Sequence, residues 1–168
     1  IVAGSFGKIG AAVLATKSAL HSGSGLTYVL APKCGYEILQ TTCPEAMYLY
    51  GGEDFIKNFT VENDFTYGIG PGLGTDYETE EKLMHFLKNY NEPLVLDADA
   101  LNLISKNPEN LNLIPKKSII TPHPKEFSRL FGESKDSFER LELAKSKAKE
   151  LNIYIVLKGH HTQIITPE

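Results

Sequence analysis

Short apolar segments alternate along the chain with longer helical segments, and glycine or proline separates them. The segments typical of buried strands are residues 26–31, 65–69, 94–96, 118–121 and 153–157. The segments with helical spacing or composition are residues 11–21, 33–41, 76–90, 99–105, 125–131 and 137–151. Strands that alternate with helices predict an α/β fold with a largely parallel sheet.

Three shorter segments extend this pattern. Residues 1–3 are typical of the end of a strand, residues 46–50 predict another strand, and residues 162–166 predict the second strand of a hairpin. The chain has no internal repeat and no low-complexity tract. Its 168 residues are enough for one domain with a core, and we interpret residues 1–168 as a single domain.

Charge and cysteine content exclude several classes of protein. The net charge of -4 argues against a surface for nucleic acid or anionic membrane, because such surfaces need dense lysine and arginine. No apolar stretch approaches the roughly 20 residues of a membrane span. The two cysteines, Cys34 and Cys43, lack a disulfide framework and partners at metal spacing. We therefore expect a cytoplasmic protein without a disulfide or structural zinc.

The unusual segments of the chain follow predicted strands. They are residues 70–74, 97–99, 122–124 and 158–162. In open α/β sheets, ligands bind beyond the carboxyl ends of the strands. The sequence therefore predicts a binding face along that edge of the sheet.

Two glycine-rich turns could approach a ligand closely. Residues 70–74 read Gly-Pro-Gly-Leu-Gly, and their backbone N–H groups could face a phosphate, although a tight strand–helix turn explains the glycines equally well. They form neither a Walker A loop nor a dinucleotide-binding fingerprint. Residues 4–12 form a second glycine turn at a helix start, and for them the packed helix start is the favoured interpretation.

Two aspartates flank Ala98 just after an apolar strand. A carboxylate there can hold Mg²⁺ or position a hydroxyl group. Asp99 precedes a predicted helix and is interpreted as its N-cap. Asp97 has no such structural role, so it is the favoured functional residue of the two and a candidate Mg²⁺ ligand.

His123 lies between two prolines, which hold its backbone and direct its imidazole. A loop histidine is more often an ordinary surface residue, but the rigid position after a strand favours a ligand contact. Glu126 follows in the next helical turn, where it could cap the helix or contact the ligand.

The turn after the last long strand reads Lys-Gly-His-His-Thr over residues 158–162. Lys158 supplies a point charge suited to a phosphate. His160 and His161 are adjacent, so on an extended chain their side chains diverge and make a poor zinc pair. The structural alternative is a polar hairpin turn.

Taken together, these segments resemble the ADP/ATP-dependent NAD(P)H-hydrate dehydratase family. The matching segments, in the order and approximate spacing of the family, are residues 4–12, 44–46, 70–74, 96–101, 121–127 and 158–162. Each motif is weak alone, but the six in order span essentially the whole chain.

The resemblance implies a ribokinase-like fold, a mostly parallel sheet with helices on both faces in three layers, incomplete at the carboxyl terminus. It implies a lyase that uses ADP or ATP with Mg²⁺ to phosphorylate the hydroxyl of NADHX or NADPHX, the S epimer. Phosphate then leaves and NADH or NADPH is restored, because phosphate is a better leaving group than hydroxide. The enzyme contributes mainly by positioning the reactants and by stabilising charge.

The resemblance also assigns residues. Ala12, Gly72 and His123 match the family's hydrate-binding positions. The adenine-nucleotide segment of the family matches Lys158, Gly159, His160, His161 and Thr162. Asp97 matches an acidic position near the phosphates and metal.

One departure concerns the family's Gly-Thr-Gly-Asp motif, whose aspartate is the presumed base and which is not found in residues 1–168. We expect this base beyond Glu168, and we expect the chain to be truncated at both ends and inactive alone. A homo-oligomer and a fused NAD(P)H-hydrate epimerase domain are further expectations. The alternatives are a hydroxyethylthiazole or hydroxymethylpyrimidine type of kinase and a non-catalytic nucleotide-binding module.

Overall fold

The computed structural model describes residues 1–60, 62 and 64–168. Its helices are α1 (Ile9–His21), α2 (Tyr36–Thr42), α3 (Tyr77–Asn89), α4 (Asp99–Ile104), α5 (Pro124–Phe131) and α6 (Ser137–Leu151). Its strands are β1 (Tyr28–Ala31), β2 (Met47–Tyr50), β3 (Gly68–Ile69), β4 (Val95–Leu96), β5 (Ile119–Ile120), β6 (Tyr154–Leu157) and β7 (Gln163–Ile165). Short 3-10 helices cover Lys33–Gly35 and Pro108–Leu113.

The strands form a largely parallel sheet in two groups. Strands β1 and β2 pair in parallel, strands β3 to β6 pair in parallel in sequence order, and β7 returns antiparallel to β6. Val2 joins the two groups of strands because it bridges in parallel to both Leu30 and Ile69. The predicted parallel α/β fold is confirmed, and residues 1–3 lie where a strand would lie.

Helices cover both faces of this sheet. Successive residues of a strand point to opposite faces. In β1, Val29 and Ala31 belong to a small buried cluster with α1 and α2, whereas Leu30 packs against the large cluster that includes residues of α3 to α6. The three-layer arrangement expected from the sequence follows from these two clusters.

Some element boundaries differ from the sequence-based expectation. The helix expected over residues 33–41 divides into a 3-10 turn and α2. The strand expected over residues 65–69 narrows to β3, although the carbonyl of Tyr67 still accepts from the amide of Val95. The 3-10 helix Pro108–Leu113, which starts at a proline and an Asn107 cap, was not predicted.

Helix α6 begins at a well-formed cap. A carboxylate oxygen of Asp136 accepts from the amide of Glu139 at 2.8 Å, and the Glu139 carboxylate accepts from the amide of Lys135 at 2.6 Å. The pair satisfies amides that the helix itself leaves unpaired.

We expect Asp136→Ala to lower the free energy of unfolding by about 1 kcal/mol, because an amide of the first turn loses its acceptor. Urea denaturation would measure the change. Ser146→Ala, an exposed position within the same helix, is the control and should leave stability equal or slightly higher. Equal losses in both variants would contradict the capping role.

None of the helices in the described residues combines the length and the apolar character needed to cross a membrane.

Cys34 and Cys43 are free thiols, the first partly exposed and the second buried.

Candidate functional site

The predicted site segments lie along one edge of the sheet. Residues 70–74, 97–99 and 121–123 directly follow β3, β4 and β5, and residues 158–162 follow β6. Since these strands are parallel, their carboxyl ends meet at the same edge. Gly72, His123 and Lys158 are therefore brought to one edge rather than to opposite ends of the molecule.

The two glycine-rich turns pack against each other at this edge. The hydroxyl of Ser5 donates to the carbonyl of Gly72 at 2.9 Å. A side chain at Gly72 would lie 2.8 Å from the carbonyl oxygen of Lys8 and 2.9 Å from the Cβ of Ala11, and its φ is 64°. Glycine is thus required at position 72 for both close approach and backbone conformation. The amide of Gly72 has no acceptor among the described residues and remains available to a ligand.

Ala12 differs from the other expected hydrate-binding residues. Its side chain is fully buried in the small core cluster, where it contacts the position of Gly4. A direct ligand contact by this side chain is not available in the structure, because it has no accessible surface. The physical role that the structure assigns to Ala12 is to let α1 lie close to the Gly4 turn.

Asp99 has a different role from the expected one. The N-cap of α4 is Ala98, and Asp99 is already the first helical residue. One Asp99 oxygen accepts from the amide of Gly74 at 2.9 Å and from the ammonium of Lys8 at 3.1 Å. The other accepts from the side chain of Asn102 at 3.3 Å. The N-cap interpretation is therefore wrong: the carboxylate bonds back to the glycine loop.

Competing effects act on this carboxylate. Burial raises the pKa of Asp99. The hydrogen bond from the Gly74 amide and the Lys8 ammonium lower it by more, so the pKa of Asp99 lies below the ordinary value for aspartate. These contacts, which sequence spacing did not indicate, favour the charged form of the side chain.

Asp97 reaches in the other direction along the edge. Its carboxylate accepts from the ammonium of Lys158 at 2.7 Å, and the same ammonium lies 4.0 Å from Glu126. Ala98 between the two aspartates has φ 49°, which is rare for a residue with a Cβ and costs about 1–3 kcal/mol. This backbone turn directs Asp97 toward β6 and Asp99 toward the loop after β3.

His123 is the N-cap of α5. Its Nδ1 accepts from the amides of Lys125 at 3.1 Å and Glu126 at 3.2 Å, and its own amide donates to Glu126 at 2.8 Å. Because Nδ1 accepts, the proton of the neutral ring lies on Nε2, which is 3.3 Å from the other Glu126 oxygen. The sequence predicted that His123 lies at this edge of the sheet, but it did not predict that His123 caps α5.

Glu126 is nearly fully buried, and it connects His123 to Lys158. The spacing of a cap residue followed three positions later by glutamate is the signal of a capping box. That signal was present in the sequence, where capping was one of two interpretations of Glu126.

The turn at residues 158–162 is exposed apart from Lys158, which is partly buried. The rings of His160 and His161 do not diverge as expected: their centroids are 4.5 Å apart, and two ring nitrogens lie 3.2 Å apart. The expectation was wrong because these residues form a bend rather than an extended strand.

Among the residues described, no group of three histidine, cysteine or acidic side chains is arranged to hold a metal ion. Mg²⁺ commonly uses one or two carboxylates together with phosphate oxygens and water. Asp97, at the open edge beside Lys158, has the donor chemistry for that arrangement.

A cleft of about 560 Å³ lies elsewhere. Its lining includes Ile1, Tyr28, Gly68 and Val95, which are residues at the amino ends of the strands. The cleft is therefore at the opposite edge of the sheet and does not contain the carboxylates, lysines or glycine loop described above.

The sequence profile of the NAD(P)H-hydrate dehydratase family matches residues 1–168. The chain belongs to this family. Among dehydratase relatives, the Staphylococcus aureus protein named ADP-dependent (S)-NAD(P)H-hydrate dehydratase is 31% identical over 98% of this chain and 59% of its own length. The Escherichia coli bifunctional NAD(P)H-hydrate repair enzyme is 35% identical over 98% of this chain and 31% of its own length.

Solved structures share the fold of this chain. The Bacillus subtilis ADP/ATP-dependent NAD(P)H-hydrate dehydratase, crystallised with ATP and Mg²⁺, superposes with TM-score 0.77 at 31% identity, covering 99% of this chain and 60% of that chain. A ribokinase-like superfamily protein from Enterococcus faecalis gives TM-score 0.78 at 28% identity, covering 98% and 58%. The expected ribokinase-like fold is confirmed. The chain spans about a third to three fifths of the length of the relatives it matches.

Proposed function

We propose that the protein containing this chain is a nucleotide-dependent (S)-NAD(P)H-hydrate dehydratase that returns NADHX and NADPHX to NADH and NADPH. The observation that carries the proposal is the meeting of five of the six family segments, all but residues 44–46, at one sheet edge, with glycine backbone, imidazole, ammonium and carboxylate side by side. Membership of the dehydratase family and relatives named as ADP-dependent (S)-NAD(P)H-hydrate dehydratases support it.

The described residues suit binding and orientation. The free amide of Gly72 and the Nε2–H of His123 are donors that could hold the hydrate. Nδ1 already accepts from two amides and Nε2 carries the proton of the neutral ring, so neither nitrogen is free to take a proton from the ligand, and this imidazole is suited to orientation rather than to removal of a proton.

The nucleotide would lie along residues 158–162, with Gly159, His160, His161 and Thr162 exposed and Lys158 at the base of the turn. Lys158 now pairs with Asp97. Phosphate oxygens could share its ammonium and leave Asp97 free to hold Mg²⁺, which neutralises phosphate charge when bound. Ala12 retains only the family resemblance as support, since it is buried.

The decisive experiment incubates the purified full-length protein with (S)-NADHX or (S)-NADPHX, ADP or ATP, and Mg²⁺. We expect reduced nicotinamide to appear, followed by its near-ultraviolet absorbance, with one phosphate released per turnover. The R epimer is the matched control and should react slowly or not at all. Nucleotide-dependent phosphorylation of a thiazole or pyrimidine alcohol without hydrate turnover would contradict the proposal, as would nucleotide binding without any turnover.

We expect Lys158→Met to raise the KM for the nucleotide about 10-fold or more, because a phosphate loses a charge-assisted hydrogen bond. Steady-state kinetics at saturating hydrate would measure this. Lys149→Met, an exposed lysine on α6, is the charge-matched control and should be neutral. An unchanged nucleotide KM in the Lys158 variant would remove Lys158 from the nucleotide site.

The partners of the whole protein are also proposals. The relatives named bifunctional repair enzymes, which this chain matches over about a third of their length, support fusion to an NAD(P)H-hydrate epimerase domain. A homo-oligomer and a cytoplasmic location remain expectations. Light scattering of the full-length protein would test the first, and fractionation of cells the second.

A further inference from the structure

We infer that Asp99 is a positioning residue that fixes residues 70–74 in the conformation that binds the hydrate, an inference that rests on the proposed function. Asp99 and Gly74 are 25 positions apart in the sequence, and the carboxylate of the one accepts from the amide of the other at 2.9 Å. This is the only side-chain acceptor recorded for a backbone amide of the loop within the described residues.

The loop needs such an anchor because of its glycines. Gly70, Gly72 and Gly74 have φ of 130°, 64° and 83°, and a glycine loses more backbone freedom on ordering than any other residue. The amide of Leu73 donates to the carbonyl of Gly70 within the loop. The bond from Gly74 to Asp99 therefore holds the far end of the loop, beyond the free amide of Gly72.

Lys8 and Asn102 keep the anchor in place. The Lys8 ammonium shares the oxygen that accepts from Gly74, and Asn102 occupies the second oxygen. Arg129 in turn donates to the Asn102 side chain at 2.6 Å, which connects the anchor to α5, the helix that His123 caps. Asp99 thus connects both glycine-rich turns and the His123 helix, whereas the aspartate that bonds to Lys158 of the expected nucleotide segment is Asp97.

Two substitutions separate this role from a general structural one. Asp99→Ala should raise the KM for the hydrate about 10-fold or more, the effect of losing one hydrogen bond to a charged acceptor, and leave the nucleotide KM unchanged. Asp99→Asn should have a smaller effect on the hydrate KM. Its side-chain oxygen can still accept from the Gly74 amide, but it carries no charge and forms no ion pair with Lys8. Asp76→Asn, which removes the same charge from the N-cap of α3 where no side-chain cap bond forms, should behave as wild type.

Hydrogen exchange of the Gly74 amide in the same full-length variants gives a readout independent of activity. We expect faster exchange in Asp99→Ala, intermediate exchange in Asp99→Asn and wild-type exchange in Asp76→Asn. Unchanged Gly74 exchange in Asp99→Ala, or equal shifts of both KM values, would overturn the inference. If the wild-type protein turned over no hydrate, the proposed function would fail, and Gly74 exchange would still decide whether Asp99 anchors the loop.

Discussion

Replacing Gly70 with alanine is expected to destabilise the protein strongly and to abolish ligand binding at the sheet edge. Gly70 has φ 130°, a conformation that a residue with a Cβ rarely adopts. The added Cβ would also overlap the carbonyl oxygen of Asp97 and lie 2.9 Å from the Cβ of Ala100. Backbone strain of about 1–3 kcal/mol and a packing clash of about 1–3 kcal/mol together predict a loss of about 2–6 kcal/mol.

The group that an added Cβ at Gly70 would meet is the backbone carbonyl of Asp97, which cannot move aside as a flexible side chain would. Any relaxation must shift Asp97 relative to Lys158 and thereby alter the expected metal and nucleotide positions. Urea denaturation would measure the stability, and calorimetric titration with ADP or ATP the binding.

Gly10→Ala is the matched control. Gly10 lies in α1, and an added Cβ meets nothing within 4 Å. Alanine there should be neutral or stabilise by about 0.5–1 kcal/mol, because it restricts the unfolded chain and favours the helix. Equal destabilisation by both substitutions, or none by either, would contradict the argument that Gly70 is required by its conformation and contacts.

The fold could be predicted because it depends on patterns within each segment. Apolar runs of strand length and segments of helical spacing alternate through the chain, and the parallel sheet follows from that alternation. The 3-10 helix Pro108–Leu113 was missed because none of its residues is buried and no periodic apolar pattern marks it. The division of residues 33–41 was missed because the composition of so short a segment does not distinguish a 3-10 turn from an α-helix.

The edge that carries the site was predictable, but the bonds within it were not. Asp99 satisfies the local pattern of a helix cap, and only tertiary folding brings the amide of Gly74 and the ammonium of Lys8 to it. The ion pair of Asp97 with Lys158 spans 61 positions in the sequence. Contacts of this kind depend on the order of the strands, which residue types alone do not specify.

His123 makes two contributions that a single substitution to alanine would remove together. We expect His123→Ala to raise the KM for the hydrate about 10- to 100-fold, with a smaller fall in kcat, because the Nε2–H donor is lost. We also expect a loss of stability of about 1 kcal/mol, because the amides of Lys125 and Glu126 lose their acceptor. Multi-decade loss of kcat with an unchanged KM would instead make His123 a chemical participant.

His123→Asn separates the two contributions. Asparagine is a good N-cap, and its side-chain oxygen can accept from the same amides, so the free energy of unfolding should return close to the wild-type value. The side chain is shorter than imidazole and cannot place a donor where Nε2 lies, so the hydrate KM should remain high. Recovery of both stability and KM in the asparagine variant would show that His123 acts only as a cap, and the ligand contact would then have to come from Gly72 and the loop that Asp99 holds.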